Sequence, residues 1–331
     1  MKKNISFVFK FIFLILIFII AFLLSLLIGA QNLSVRDILF KSESFSRLIF
    51  TQIRLPRTLL ALVAGSLLAG SGACFQMFFR NPLAEPGIMG VSSGATLGAV
   101  IASSFLGGSV HSVLGGILSP VNAGAFLGAL GAGLLVTGIA GFRRDSTVAL
   151  LLCGTALGSL YSALIAILLS LNDTQLHTMY IWMLGSFSGR GWNEVIFIIV
   201  PSFIACVLLF LASHSLDLLS GGEESALSLG VEVKHLRLLV IVAGAVATSA
   251  AVCAGGTIGF VGLVSPHVMR RIFGVKSKTL IPLSMIGGAI LMLFSDMLSR
   301  IVMPPSEIPV GTITALVGAP FFISLLFTSR R

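Results

Sequence analysis

Apolar runs of about twenty residues recur along this chain, parted by short polar breaks, and charge is almost missing from within them. The most informative stretch runs from Arg54 to Ala95, RLPRTLLALVAGSLLAGSGACFQMFFRNPLAEPGIMGVSSGA. A proline-marked charged entry leads there into an apolar helix, then a polar turn with two prolines and a glycine, then a helix of small residues. Of the 331 residues, 56% are hydrophobic and only 10% charged. A soluble domain carries about 25% charged residues, so the chain reads as a polytopic membrane protein. Backbone polar groups in lipid must be satisfied within the segment or by closed pairing. Barrel strands alternate over about 10 residues; these runs do not, so the fold class is all-α.

The runs predict ten transmembrane helices, near 7–29, 58–79, 88–107, 117–142, 147–172, 195–213, 236–256, 258–271, 279–300 and 310–328, in one membrane domain spanning 1–331. The eighth is too short to cross about 30 Å of hydrocarbon at 1.5 Å per residue. The N-terminal MKKN and its long apolar run read as an uncleaved first helix rather than a signal peptide.

Basic residues set the orientation. With both termini inside, the inner face holds Lys2, Lys3, Lys10, Arg80, Arg143, Arg144, Lys234, Arg237, Arg270, Arg271, Lys276, Lys278, Arg330 and Arg331, which is 14 of the 21 basic residues. The outer face keeps Arg36, Lys41, Arg47, Arg54, Arg57, Arg190 and Arg300. The net charge of +9 is therefore a topology signal and calls for no nucleic-acid partner. Trp182 and Trp192 fall in an outer loop, as interfacial anchors do.

Cys74, Cys153, Cys206 and Cys253 lie in apolar runs without pairing or metal spacing, and read as small buried hydrophobes. The five histidines stand apart from any Glu or Cys at ligand spacing. No catalytic constellation, metal site or P-loop is present in the sequence, and no cofactor is expected. The helix centres are nearly free of charge; only Asp296 and Arg300 intrude, near the outer end of the ninth helix, four residues apart on one face, where they can pair. Ion-coupled carriers keep ionisable groups at mid-membrane; their scarcity here points to energy from another subunit. Glycine clusters such as Gly70-Ser71-Gly72 suit close helix packing. Val63-Ala64-Gly65 and Cys74 recur as Val242-Ala243-Gly244 and Cys253, a faint trace of an inverted repeat.

The longest inner insertion, 215–235, contains helix formers between Gly222 and Gly230. It reads as a short capped helix on the cytoplasmic face. Its apolar Ala226, Leu227 and Leu229, beside Glu223 and Glu224, suit docking to a cytoplasmic partner.

Seven ordered blocks carry a resemblance over nearly the whole chain: RLPR at Arg54–Arg57, RNPLAEPGIMGVSSGA, STVALLLCG, WMLGSFSGRGW, GEESALSLGV, GTIGFVGLVSPHVMRRIFG and SEIPVGTITALVGAPFF. The chain resembles the FecCD family, permease subunits of ABC importers for iron–siderophore complexes, haem and cobalamin. Thr257 and Ser265 stand where the family usually has a proline and an apolar residue. The resemblance implies a BtuC-like ten-helix permease in a bacterial cytoplasmic membrane, without enzymatic activity, paired with a second copy or a paralogue. Two ATP-binding-cassette subunits would bind on the cytoplasmic side and a substrate-binding protein outside. It also implies residue roles. Arg54, Arg57 and Arg300 would dock the binding protein. Asn81, Pro82, Leu83, Ser146 and Thr147 would form the cytoplasmic gate, and Gly222–Gly230 would couple to the ATPase. Iron–siderophore is the expected cargo, with haem or cobalamin as alternatives. A secondary carrier or channel is the reading from another class.

Overall fold

The computed structural model describes residues 2–29, 31, 45–105, 119–141, 147–171, 173–274 and 276–328. Among them the secondary structure is helical throughout, with no strand. The helices are α1 (Lys2–Leu27), α2 (Phe45–Phe78), α3 (Val91–Phe105), α4 (Pro120–Gly141), α5 (Thr147–Ser170), α6 (Asp173–Met183), α7 (Trp192–Leu219), α8 (Glu223–Ser228), α9 (Val233–Gly255), α10 (Val261–Phe273), α11 (Ser277–Ile301) and α12 (Val310–Thr328). Seven of these are long and apolar enough to cross a membrane: α1, α2, α4, α5, α7, α9 and α11. The shorter α3, α10 and α12 complete the ten expected segments, and α10, at 13 residues, is the short eighth one.

Two boundaries differ from the sequence reading. The second helix starts at Phe45, not near 58, because Arg47, Thr51, Gln52 and Arg54 hide its apolar pattern. Within it, Ile49–Arg54 is a π-helical stretch, closed by the Leu55 N–H donating to the Phe50 carbonyl. Pro56 follows and offers no N–H to the turn before it, so the hydrogen-bond register slips there. The second difference is α6, which occupies what reads as outer loop. Trp182 lies in α6, half-buried against the core, and the Trp192 indole donates to the Thr51 carbonyl at 2.9 Å. Both rings are therefore tied to protein rather than free at an interface.

α2, α9 and α11 form the centre, with 72%, 78% and 67% of their apolar windows buried, against 11% for α1. Cys74 and Cys253 are fully buried there, and all four cysteines are free. α2 and α9 run antiparallel: Phe75 covers Gly244, Leu67 meets Ala247 and Ala250, and Ala61 clusters with Ala254. The two stretches of the faint repeat thus lie on directly packed helices.

Glycines set the closest crossings. A Cβ on Gly98 of α3 would lie 2.0 Å from the Gly124 carbonyl of α4, and one on Gly124 would lie 2.3 Å from the Gly98 carbonyl. Gly65 of α2 and Gly288 of α11 are related in the same way, at 2.3 and 2.2 Å. Backbones meet directly there, as small residues permit in lipid.

Candidate functional site

At the outer end, four charged side chains from α2, α11 and the segment before α12 are bonded to one another. Arg57 places Nε and Nη2 on Asp296 Oδ1 at 2.9 and 2.8 Å, and Nη1 on Glu307 Oε1 at 2.9 Å. Arg300 Nη2 reaches Asp296 Oδ2 at 3.0 Å and Ser25 Oγ at 3.0 Å, and its Nη1 donates to the Ser25 carbonyl at 3.0 Å. The spacing explains the geometry: Asp296 and Arg300 share one helix face, and α2 packs alongside α11. Arg54 donates to the carbonyls of Leu26, Leu27 and Gln31. It thereby satisfies acceptors that the end of α1 leaves open, and its charge suits a helix C-terminus.

Asp296 is fully buried, and Arg54, Arg57 and Arg300 are only 4–5% exposed. The three arginines expected at a docking face are brought together, but buried: Arg57 and Arg300 are bonded into the carboxylate network, and Arg54 beside them is held by the carbonyls at the end of α1. Glu307, whose side chain is 27% exposed, is its most open member. A cavity of about 290 Å³ opens over Arg54, Arg57, Arg300 and Glu307. With three cations and two anions, the cluster keeps a positive balance toward that cavity. Sequence reasoning missed Glu307, although it stands in the quoted SEIPVG block.

At the inner end of α2, Arg80 turns the chain with φ 48°. Asn81 Oδ1 accepts from the Leu83 N–H at 2.9 Å, the side-chain-closed turn that asparagine favours. Pro82 and Leu83 project outward, exposed. The chain then re-enters the fold through a 3₁₀ turn, Pro86–Met89, ended by Gly90 at φ 73°. A Cβ on Gly90 would stand 3.0 Å from the Gly154 carbonyl of α5. Of the other expected gate residues, Thr147 opens α5 and Ser146 lies outside the described residues.

From the opposite side, the turn 256–260 comes in to meet this loop. Its neighbours are pinned by backbone bonds: Ser186 N–H to the Gly255 carbonyl at 2.7 Å, and Gly311 N–H to the Gly185 carbonyl at 3.3 Å. A cavity of about 280 Å³ remains between loop and turn, lined by Glu85, Ser92, Thr248 and Thr257 among others. Thr248 Oγ1 is buried with no hydrogen-bond partner among the described residues. Glu85 was also missed by sequence reasoning; the signal was an acid between Pro82 and Pro86.

The expected inner-face helix is present as α8. Gly222 precedes it at φ 119°, and Gly230 follows at φ 83°. Val231 N–H bonds the Ala226 carbonyl and Gly230 N–H bonds the Leu227 carbonyl, each at 3.0 Å. That pair of bonds is the Schellman ending that a left-handed glycine allows. Ala226 is fully buried, whereas Leu227 and Leu229 are 56% and 63% exposed. Glu223 and Glu224 occupy the first turn, where a negative charge is favourable. Arg80 Nη2 donates to the Leu219 carbonyl at 2.8 Å, so the loop after α2 is tied to the chain entering α8. A small cavity of about 130 Å³ between them is lined by Phe79, Arg80, Leu219, Glu223 and Arg237.

A buried helical core with seven helices long and apolar enough to cross a membrane marks a multi-pass membrane protein. The chain belongs to the FecCD transport family, whose model matches residues 16–328. It is 37% identical over 311 residues to the hemin transport system permease HmuU of Yersinia pestis, covering 92% of this chain and 91% of that one. It is 38% identical over 311 residues to the vitamin B12 import permease BtuC of Vibrio vulnificus, covering 93% and 90%. A solved structure of a metal-chelate type ABC transporter in an inward-facing conformation matches with a TM-score of 0.85 and 35% identity, over 96% of this chain and 99% of that one.

Proposed function

We propose that this chain is the permease subunit of an ABC importer that carries a metal chelate, an iron(III)–siderophore complex, into the cytoplasm. Hydrolysis of ATP takes place on separate subunits. The observation that carries the reading is the link from α8 through Leu219 and Arg80 to the loop after α2. A push on the exposed Leu227 and Leu229 moves α8, and the Arg80 bond passes that displacement to Asn81, Pro82 and Leu83. Rocking between two packings of similar energy, biased by nucleotide on the partner, then opens or closes the inner end. In this reading a second permease copy or a paralogue completes the pathway.

Iron chelates are favoured as cargo by the relatives. The named systems include Fe(3+)-citrate and iron(3+)-hydroxamate permeases of Bacillus subtilis, 38% and 36% identical to this chain. A binding protein would dock over the outer cavity, with an acidic side chain drawn by the positive balance of Arg54, Arg57 and Arg300. Glu307 stands at its mouth.

The test is uptake of labelled iron(III)–siderophore, haem and cobalamin in cells lacking the gene and in cells with it restored. Selective loss of the siderophore, recovered on restoration, is expected. Loss of haem or cobalamin alone would replace the cargo, and undiminished uptake of all three would refute the assignment.

A further inference from the structure

An apolar slot of about 370 Å³ runs between α1, α10 and α11. Leu14 and Ile17 of α1, Val264 and Val268 of α10, and Phe294 of α11 line it. Gly287 leaves one wall without a side chain; a Cβ there would come within 2.7 Å of Ser265 Oγ. The one hydroxyl on this wall, Ser265, is already bonded to the Ser284 carbonyl at 2.8 Å, so the interior asks for no polar ligand.

The mouth differs from the interior. Lys10 lines the slot at its inner-leaflet end, and its ammonium donates to the Ile272 carbonyl at 3.1 Å. An ammonium has three donors, so further donors remain for another acceptor. Arg271 is exposed in the last turn of α10, directly before Ile272, which lines the slot and bonds Lys10. Lys276 and Lys278 follow in the next turn of chain. No acidic residue occurs anywhere in α1 or from 261 to 295. The edge of Phe7 packs against Phe273, a residue of the slot wall, with centroids 5.6 Å apart. The end carrying Lys10 and Arg271 is the inner one by the distribution of basic residues.

We propose that this slot is a binding site for an anionic phospholipid of the inner leaflet. One acyl chain fills the space between α1, α10 and α11, and the phosphate lies between Lys10 and Arg271. Seven residues from Lys10 to Ile17 give about 10 Å of depth at 1.5 Å per residue, a length suited to a chain rather than a compact solute. Basic pockets between membrane helices on the cytoplasmic side recognise anionic headgroups. Here the charge and the apolar slot coincide.

The experiment is native mass spectrometry of the full-length protein in detergent, with phosphatidylglycerol and phosphatidylcholine of matched chains supplied equally. The first bound lipid is expected to be phosphatidylglycerol, and Lys10→Gln and Arg271→Gln each to cut that preference about fivefold. Val268→Trp, which fills the slot, should remove the retained lipid, whereas Leu211→Trp on an exposed face should not. Variants are compared at matched unfolding midpoints, so that loss of fold is not read as loss of lipid. Equal retention of both lipids, or a preference unmoved when Lys10→Gln and Arg271→Gln are combined, overturns the proposal. So does displacement by inorganic phosphate alone, which would mark a bare anion site, or a lipid-free dimer closing over the slot, which would make it a surface for a second copy.

Discussion

Replacing Asp296 with Asn tests the outer network most sharply. Asp296 is fully buried and its carboxylate is ion-paired with two arginines that are themselves 4–5% exposed. At about 3 Å and an effective dielectric near 20, each contact has a Coulomb ceiling of roughly 5 kcal/mol. The loss is smaller than two ceilings, because Arg57 keeps Glu307 and Arg300 keeps both Ser25 acceptors. Breaking a buried pair by removing one partner costs about 3–5 kcal/mol, and the retained bonds place Asp296→Asn near the low end, about 3 kcal/mol. Asparagine preserves the volume, so no cavity contributes. Glu307→Gln is the contrast: with 27% of its side chain exposed it should cost no more than about 1 kcal/mol. Denaturant titration in detergent micelles measures both. Adding Arg300→Met to Asp296→Asn should recover part of the loss, since it removes an uncompensated buried charge. Equal destabilisation by Asp296→Asn and Glu307→Gln would refute the claim that Asp296 anchors the network.

Gly98→Leu should unseat α3 from α4 at a cost of about 1–3 kcal/mol or more, seen in the same titration, whereas Gly131→Ala, with nothing within 4 Å of the added carbon, should be neutral. Gly230→Pro forces φ near −65° on a residue that sits at 83°; ATP hydrolysis by the assembled importer should continue while uptake falls about tenfold or more. Arg57→Glu sets a third carboxylate against Asp296 and Glu307 and reverses the charge beneath the outer cavity. Binding-protein affinity should fall, and the loss is attributed to docking only where the unfolding midpoint is held. With the native cysteines replaced, Ser188→Cys should label from outside and Ser225→Cys from inside; reversed labelling would invert the topology.

Much of this fold is written in where charge is missing. A strip of about twenty apolar residues has few options in lipid, and Gly222 and Gly230 bracket α8 plainly enough to be read from sequence. The pairing of Asp296 with Arg300 follows from spacing alone. Its extension to Arg57 and Glu307 does not, because it requires α2 beside α11 and a bend after Ile301 that returns Glu307 to the cluster. The early start of α2 was hidden for a related reason. Arg54 looks like a loop residue until the end of α1 supplies carbonyls for its guanidinium. α6, DTQLHTMYIWM, is too short and too polar to declare itself; packing holds it, with Met179 buried beside Val100 and Ile165. The three arginines expected to dock a partner do gather beside Glu307, but the burial of Arg57 and Arg300 depends on partners that lie 239 to 275 positions away in the chain, and that of Arg54 on carbonyls 23 to 28 positions away.

The central claim is that this chain provides the path and another protein provides the energy. The most direct measurement is accumulation of labelled iron(III)–siderophore in right-side-out membrane vesicles from cells that express the importer. Vesicles are either loaded with ATP or given only a proton or sodium gradient. The account predicts accumulation with internal ATP, persistence when a protonophore collapses the gradient, and loss when this gene is deleted. Accumulation driven by the gradient alone would contradict it and make the chain a secondary carrier.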